Sequence, residues 1–327
     1  MIKTFEKENL KFIQVTNNSH MVITLCDLGA SLFYIVYDDV EMLYRPKYIK
    51  DFVRNDVYHG KTIGRVAGRV KDSVIKIDGH IYRLAANEDS KTLHGGIDGL
   101  SNQKFKYVVK ENKRNTSITF SYLSKAGESG FPSNALIKVR YEIANDKPDI
   151  KIVLDCSLDG KCPISLTNHS YFCLGDAGVN NLSLQVKASN YLQLDPKDLI
   201  FTKSKAVPSY LDFRKEKKLG IDIDNKEINN GMLKGFDHCW VFDKVNPNIS
   251  QITLKNERYQ LNISTSLDAV VIYTDNFAPG FVANNSKQEA RRGIAIEPQL
   301  DRTKSILFDK NKRFHHFIKY KFKKNLI

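Results

Sequence analysis

Ile75-Lys76-Ile77-Asp78-Gly79-His80-Ile81-Tyr82-Arg83-Leu84 alternates apolar and polar residues on both sides of an Asp-Gly pair. A period of two is that of a strand with one face buried, and Asp-Gly supplies a tight turn, so the stretch predicts a β-hairpin. The same alternation recurs at Ser117 to Leu123, Ala135 to Ile143, Ile150 to Leu158, Leu182 to Val186, Tyr259 to Ile263 and Phe317 to Phe322, in segments rich in Ile, Val, Tyr and Thr. Strands in series without alternating helices predict an all-β fold, a large antiparallel β-sandwich. The one helix expected is short, Pro196 to Ile200, with Asp195 as its N-cap and Pro196 set for its first turn.

The 327 residues carry no fixed-period repeat, no low-complexity tract and no Pro- or Ser-rich linker, so residues 1–327 are expected to form a single domain. Hydrophobic residues make up 42% and aromatics 10%, and no apolar run approaches the ~18 residues of a membrane helix, so no membrane partner is expected. The N-terminus has no apolar h-region, and the five cysteines form no CxxC pair; both features fit a cytoplasmic protein with free thiols. Fifty Lys and Arg against thirty-seven Asp and Glu give a net charge of +13. The basic residues are scattered and no nucleic-acid-binding motif accompanies them, so the surplus reads as a solvated surface and no nucleic acid is expected as partner.

Five polar clusters interrupt the strands. Gly64-Arg65-Val66-Ala67-Gly68-Arg69-Val70 projects two arginines from small residues; structural ion pairs and a bidentate guanidinium held toward hydroxyls are both open readings. Leu93-His94-Gly95-Gly96 places a histidine before two glycines free to take positive φ. Thr167-Asn168-His169-Ser170-Tyr171-Phe172 is dense in polar and aromatic groups, and Phe236-Asp237-His238-Cys239-Trp240 carries the single tryptophan. In Gly293-Ile294-Ala295-Ile296-Glu297-Pro298-Gln299 a carboxylate ends an apolar strand, where a charge is costly unless paired or used. Ile272-Tyr273-Thr274-Asp275-Asn276-Phe277 adds an aromatic strand end.

In order and spacing these motifs resemble the aldose 1-epimerase (galactose mutarotase) family across residues 64 to 299. The resemblance implies a supersandwich of the galactose mutarotase type with an open cleft, no metal and no organic cofactor. It implies a small-molecule aldose as substrate, and activity as a mutarotase on free hexoses such as galactose and glucose. Carried over position by position, Glu297 matches the general base and His169 the general acid; Arg69, His94 and Asp237 match substrate-holding groups. Tyr171, Tyr273, Phe172 and Phe277 are aromatic candidates for packing on the sugar or for the core. Two departures stand out: Gly68 where asparagine is common before the arginine, and Leu300 to Lys304 where a Pro-Asp-Ala-x-Asn stretch is usual. Alternative readings are a hexose-6-phosphate 1-epimerase, which would use the basic surplus, and a noncatalytic carbohydrate-binding sandwich. A retaining glycosidase would need two carboxylates flanking the bond, and only Asp237 is available to partner Glu297. A monomer or a homodimer is expected.

Overall fold

The computed structural model describes residues 1–175, 178–229, 233–284 and 289–325. Strands dominate it, and they are organised in three main antiparallel sheets with several two-stranded ribbons. The N-terminal sheet meanders through Ile2–Lys7, Leu10–Thr16, Met21–Cys26, Ser31–Tyr37 and Val40–Glu41. The largest sheet has nine strands, and at its centre Asn115–Ser124, Ala135–Ala144, Asp149–Leu158, Phe314–Lys324 and Tyr259–Thr265 lie side by side. The third sheet has six strands in the order Tyr171–Phe172, Ile294–Gln299, Ala269–Tyr273, Asp237–Val241, Asn190–Leu194 and Phe201–Ala206.

The alternation read in the sequence decides what each face of these sheets meets. In Ala135–Ala144 burial alternates strictly, with Ala135, Ile137, Val139, Tyr141 and Ile143 inside. They join a single apolar cluster that also takes Ile13, Val15, Ile23 and Ile35 from the N-terminal sheet and Val270, Ile272, Ile294, Ile296 and Trp240 from the six-stranded sheet. This packing of sheet faces against one another is the expected β-sandwich. Removing such side chains from water at about 25 cal/mol per Å2 is the main force that holds the sheets together.

The opening hairpin forms as Val74–Ile77 and His80–Arg83, with Asp78 and Gly79 both at positive φ, 49° and 81°. Positive φ at both central residues is the turn geometry that matches the twist of paired strands. The expected helix at Pro196 to Ile200 is absent. Asp195 does cap, accepting from the backbone N–H groups of Lys197 and Asp198 at 2.9 Å, but one turn later Leu199 swings to φ 53° and the chain leaves for the strand Phe201–Ala206. The five cysteines are unpaired and buried. Among the described residues no helix is long and apolar enough to cross a membrane.

Candidate active site

The six-stranded sheet has two chemically different faces. Alternate residues of Ile294–Gln299, Ala269–Tyr273 and Asp237–Val241 point into the apolar cluster, while Glu297, Gln299, Val271, Tyr273 and Asp237 point the other way and floor a cleft of about 620 Å3. Glu297 lies inside its strand, not at its end. Tyr171–Phe172 pairs only with Ile294 and Ala295, so Pro298 falls where a ladder on that side has stopped.

Loops from the other sheets build the walls. Thr92–Leu93 pairs with Arg69–Val70, and Gly95, at φ 92°, packs so tightly on the neighbouring motif that a Cβ there would lie 2.0 Å from the carbonyl oxygen of Gly64. Only glycine allows that approach, and it fixes His94 beside Arg69. The Gly68 N–H donates to His94 Nδ1 at 3.2 Å, so neutral His94 carries its proton on Nε2. Burial, with His169 and Arg69 nearby, pushes its pKa well below the usual histidine value and keeps it neutral. His169 is anchored through its backbone, which donates to the carbonyl of Lys61 and accepts from Gly60, both at 2.9 Å.

His169 and Glu297 meet at the centre. Nε2 and Oε1 are 3.3 Å apart, with 4% and 3% of the two residues exposed. Burial disfavours charge on both partners: the histidine is pushed down to about 4 and the glutamic acid well up. Asp237 adds to the rise at Glu297, and Arg69 opposes it. Burial thus biases each group toward its neutral form, the imidazole without and the carboxyl with its proton. Among the described residues, the group with a spacing suited to a divalent cation is this same pair with His94, their ligand atoms lying within 4.8 Å of one another. Two imidazoles and a carboxylate are competent ligands.

Around the pair, the cleft collects Arg69, His94, Asp237, Tyr171 and Tyr273. Arg69 is held by a bidentate contact to Glu88, at 2.6 and 2.9 Å, and stands 3.9 Å from Asp237. Tyr171 stacks near His169 with ring centroids 5.0 Å apart, and Tyr273 meets Tyr171 edge-on at 6.2 Å. Of the two phenylalanines, Phe172 is buried in the core against Tyr320, whereas Phe277 lines the cleft and is 48% exposed. Arg65 is the structural arginine of its motif: it is buried and donates to Ser124, Ser133 and Lys125. Tyr58, Glu88 and Arg302 are cleft residues that escaped the sequence reading. Tyr58 packs edge-on against His94 at 4.7 Å and lies over His169 at 5.9 Å; Glu88 clamps Arg69; Arg302 braces the loop that carries Arg69. None belongs to a patterned cluster, and only Arg302 fell in a segment already singled out.

A buried carboxyl–imidazole pair in an open cleft ringed by hydrogen-bonding groups belongs to an acid–base enzyme built on a β-sandwich. The family model for aldose 1-epimerase matches residues 11–321. An aldose 1-epimerase of Escherichia coli (strain K12) is 27% identical over 308 residues, covering 88% of this chain and 86% of that protein. A galactose mutarotase of Homo sapiens is 28% identical over 261 residues, with 77% and 72% covered. The crystal structure of galactose 1-epimerase from Lactobacillus acidophilus NCFM superposes with a TM-score of 0.90 at 25% identity, over 100% of this chain and 99% of that one. The aldose epimerase homologue of C. elegans superposes at 0.86 with 26% identity, over 96% and 99%. The chain belongs to the aldose 1-epimerase family, and it is an isomerase.

Proposed function

We propose that this chain interconverts the α and β anomers of free hexoses such as galactose and glucose, with Glu297 as base and His169 as acid. The observation that carries the reading is the buried 3.3 Å approach of His169 Nε2 to Glu297 Oε1 on the cleft floor. To open a cyclic aldose, the proton on the C1 hydroxyl must leave while the ring oxygen gains one. The carboxyl proton first passes to His169 across the 3.3 Å contact; Glu297 then takes the C1 hydroxyl proton and His169 delivers its own to the ring oxygen, the C1–O5 bond breaks and C1 becomes a carbonyl. The pair has gained one proton and given one, so its total is unchanged.

Rotation about C1–C2 then turns the other carbonyl face toward the C5 hydroxyl. Reclosure runs the same exchange backwards, with His169 accepting and Glu297 donating. Each positioned proton transfer is typically worth ~10²–10⁴ in rate. In this reading Arg69, His94 Nε2–H and Asp237 hydrogen-bond hydroxyls and hold the open chain during rotation, and Tyr171 and Tyr273 pack on its C–H surface. The chain is read as one sandwich unit, supported by an apolar cluster that draws on all three sheets.

The test is polarimetry of freshly dissolved α-galactose, α-glucose and glucose 6-phosphate with catalytic amounts of the protein. Faster approach to the equilibrium rotation for the free sugars is expected. No acceleration for either free sugar would sink the reading, and acceleration for the phosphate alone would select a hexose-6-phosphate 1-epimerase.

A further inference from the structure

The two places where this sequence departs from its family's pattern meet in space. Gly68 sits at φ 76°, and a Cβ built on it would lie 3.8 Å from Nη1 of Arg302. Arg302, from the second departure, reaches across the cleft wall and donates from Nη1 to the carbonyl of Ala67 at 2.6 Å and from Nη2 to that of Arg69 at 3.4 Å. The guanidinium is therefore in ordinary van der Waals reach of a Cβ at position 68.

A guanidinium has five N–H donors, and these two bonds use two of them. Among the described residues no carboxylate lies within ion-pair distance of Arg302, unlike Arg69, which has Glu88. The side chain is half-buried and lines the cleft. Burial beside carbonyls alone lowers its pKa to about 10, so a cationic donor is held in the wall without a countercharge. A brace for the loop needs only the two carbonyl contacts. Arg302 lines the cleft, and a polyhydroxylated ligand there offers oxygen acceptors for its remaining donors.

On the basis of the anomer-interconversion reading above, we propose that Arg302 is a substrate-binding residue. It donates to a hydroxyl oxygen of the aldose from the cleft wall.

The experiment pairs Arg302→Met with sugar analogues. Mutarotation is measured for the unaltered protein and the variant with the parent hexose and with its 2-, 3-, 4- and 6-deoxy derivatives, and thermal unfolding is followed in parallel. With the parent sugar, kcat/KM is expected to fall about 10-fold or more, mainly through KM. With the one deoxy sugar that lacks the contacted hydroxyl, the loss should shrink to about 2-fold, because the interaction is already gone. An equal loss for all sugars would make Arg302 only a loop brace and overturn the proposal. Arg302→Lys gives the same comparison should the methionine variant fail to fold. Failure of the unaltered protein to accelerate any hexose would overturn the underlying functional reading, and this proposal with it.

Discussion

The two faces of the six-stranded sheet are made by the same three strands and a one-residue step, yet they do opposite work. Ile294, Ile296, Ile272, Val270 and Trp240 enter the apolar cluster; Glu297, Tyr273, Val271 and Asp237 face the cleft. One face is optimised for burial. The other holds two carboxyl groups that burial pushes above their usual pKa. Stability is supplied on the first face and partly surrendered on the second, the usual relation between a scaffold and its reactive groups.

Single substitutions can break that division of labour. The largest effect is expected at the cleft face: Glu297→Gln and His169→Asn should each lower kcat by at least ~10²-fold in polarimetric assays, with the unfolding temperature of Glu297→Gln unchanged or higher. Near-normal turnover in either would remove that residue from the proton cycle. One residue away, Ile296→Ala should do the reverse, costing about 2–5 kcal/mol of unfolding free energy in denaturant titrations while activity per folded molecule is kept. If that variant lost activity without losing stability, the two faces would not be separable.

The smallest effect concerns pH, and here the faces differ in sign logic. His238, on the core face, is held down to about 4 by burial, against an ordinary value of 6.5. Between those values the unfolded chain binds a proton that the folded chain refuses, so stability is full above pH 6.5 and lost as pH falls. Its contribution to the slope is about 1.4 kcal/mol per pH unit at most. On the cleft face the two signs oppose: His169, lowered to about 4, costs stability as pH falls below 6.5, whereas Glu297, raised by burial, favours the folded state as pH falls. His238→Gln should therefore flatten the acid limb of a stability–pH profile, and an unchanged limb would show that the burial cost at His238 is offset by another group.

Most of the architecture was legible because a period of two has one physical meaning over long stretches, as Ala135–Ala144 and Asp149–Leu158 illustrate. The turn at Pro196 was misread as a helix because its cap is real; what ends it is the positive φ of Leu199, which no local rule assigns to leucine. Glu297 reads in the sequence as a strand end, and the short reach of Tyr171–Phe172, which lets the strand run on through Pro298, is a tertiary fact. His94, His169, Arg69, Asp237 and Glu297 were visible as types in motifs. Tyr58 and Glu88 were not, since their place in the cleft depends on where unpatterned loops land. The relation of Gly68 to Arg302 was hidden for the same reason: the sequence shows two departures, and only the fold shows that they touch.

The tight seat of Gly95 on the Gly64 carbonyl also bears on how the protein matures. It docks one wall loop on another, while His169 arrives with the ribbon that pairs Thr167–Asn168 to Thr62–Ile63, and Glu297 comes from a strand near the far end of the chain. A chain still emerging from synthesis, or one halted at a partly assembled stage, has the parts without the juxtaposition. Loop-closure entropy makes such distant contacts late to form. Return of catalytic rate during refolding therefore reports the final assembly of the molecule, after the strands themselves have regained their spectroscopic signal.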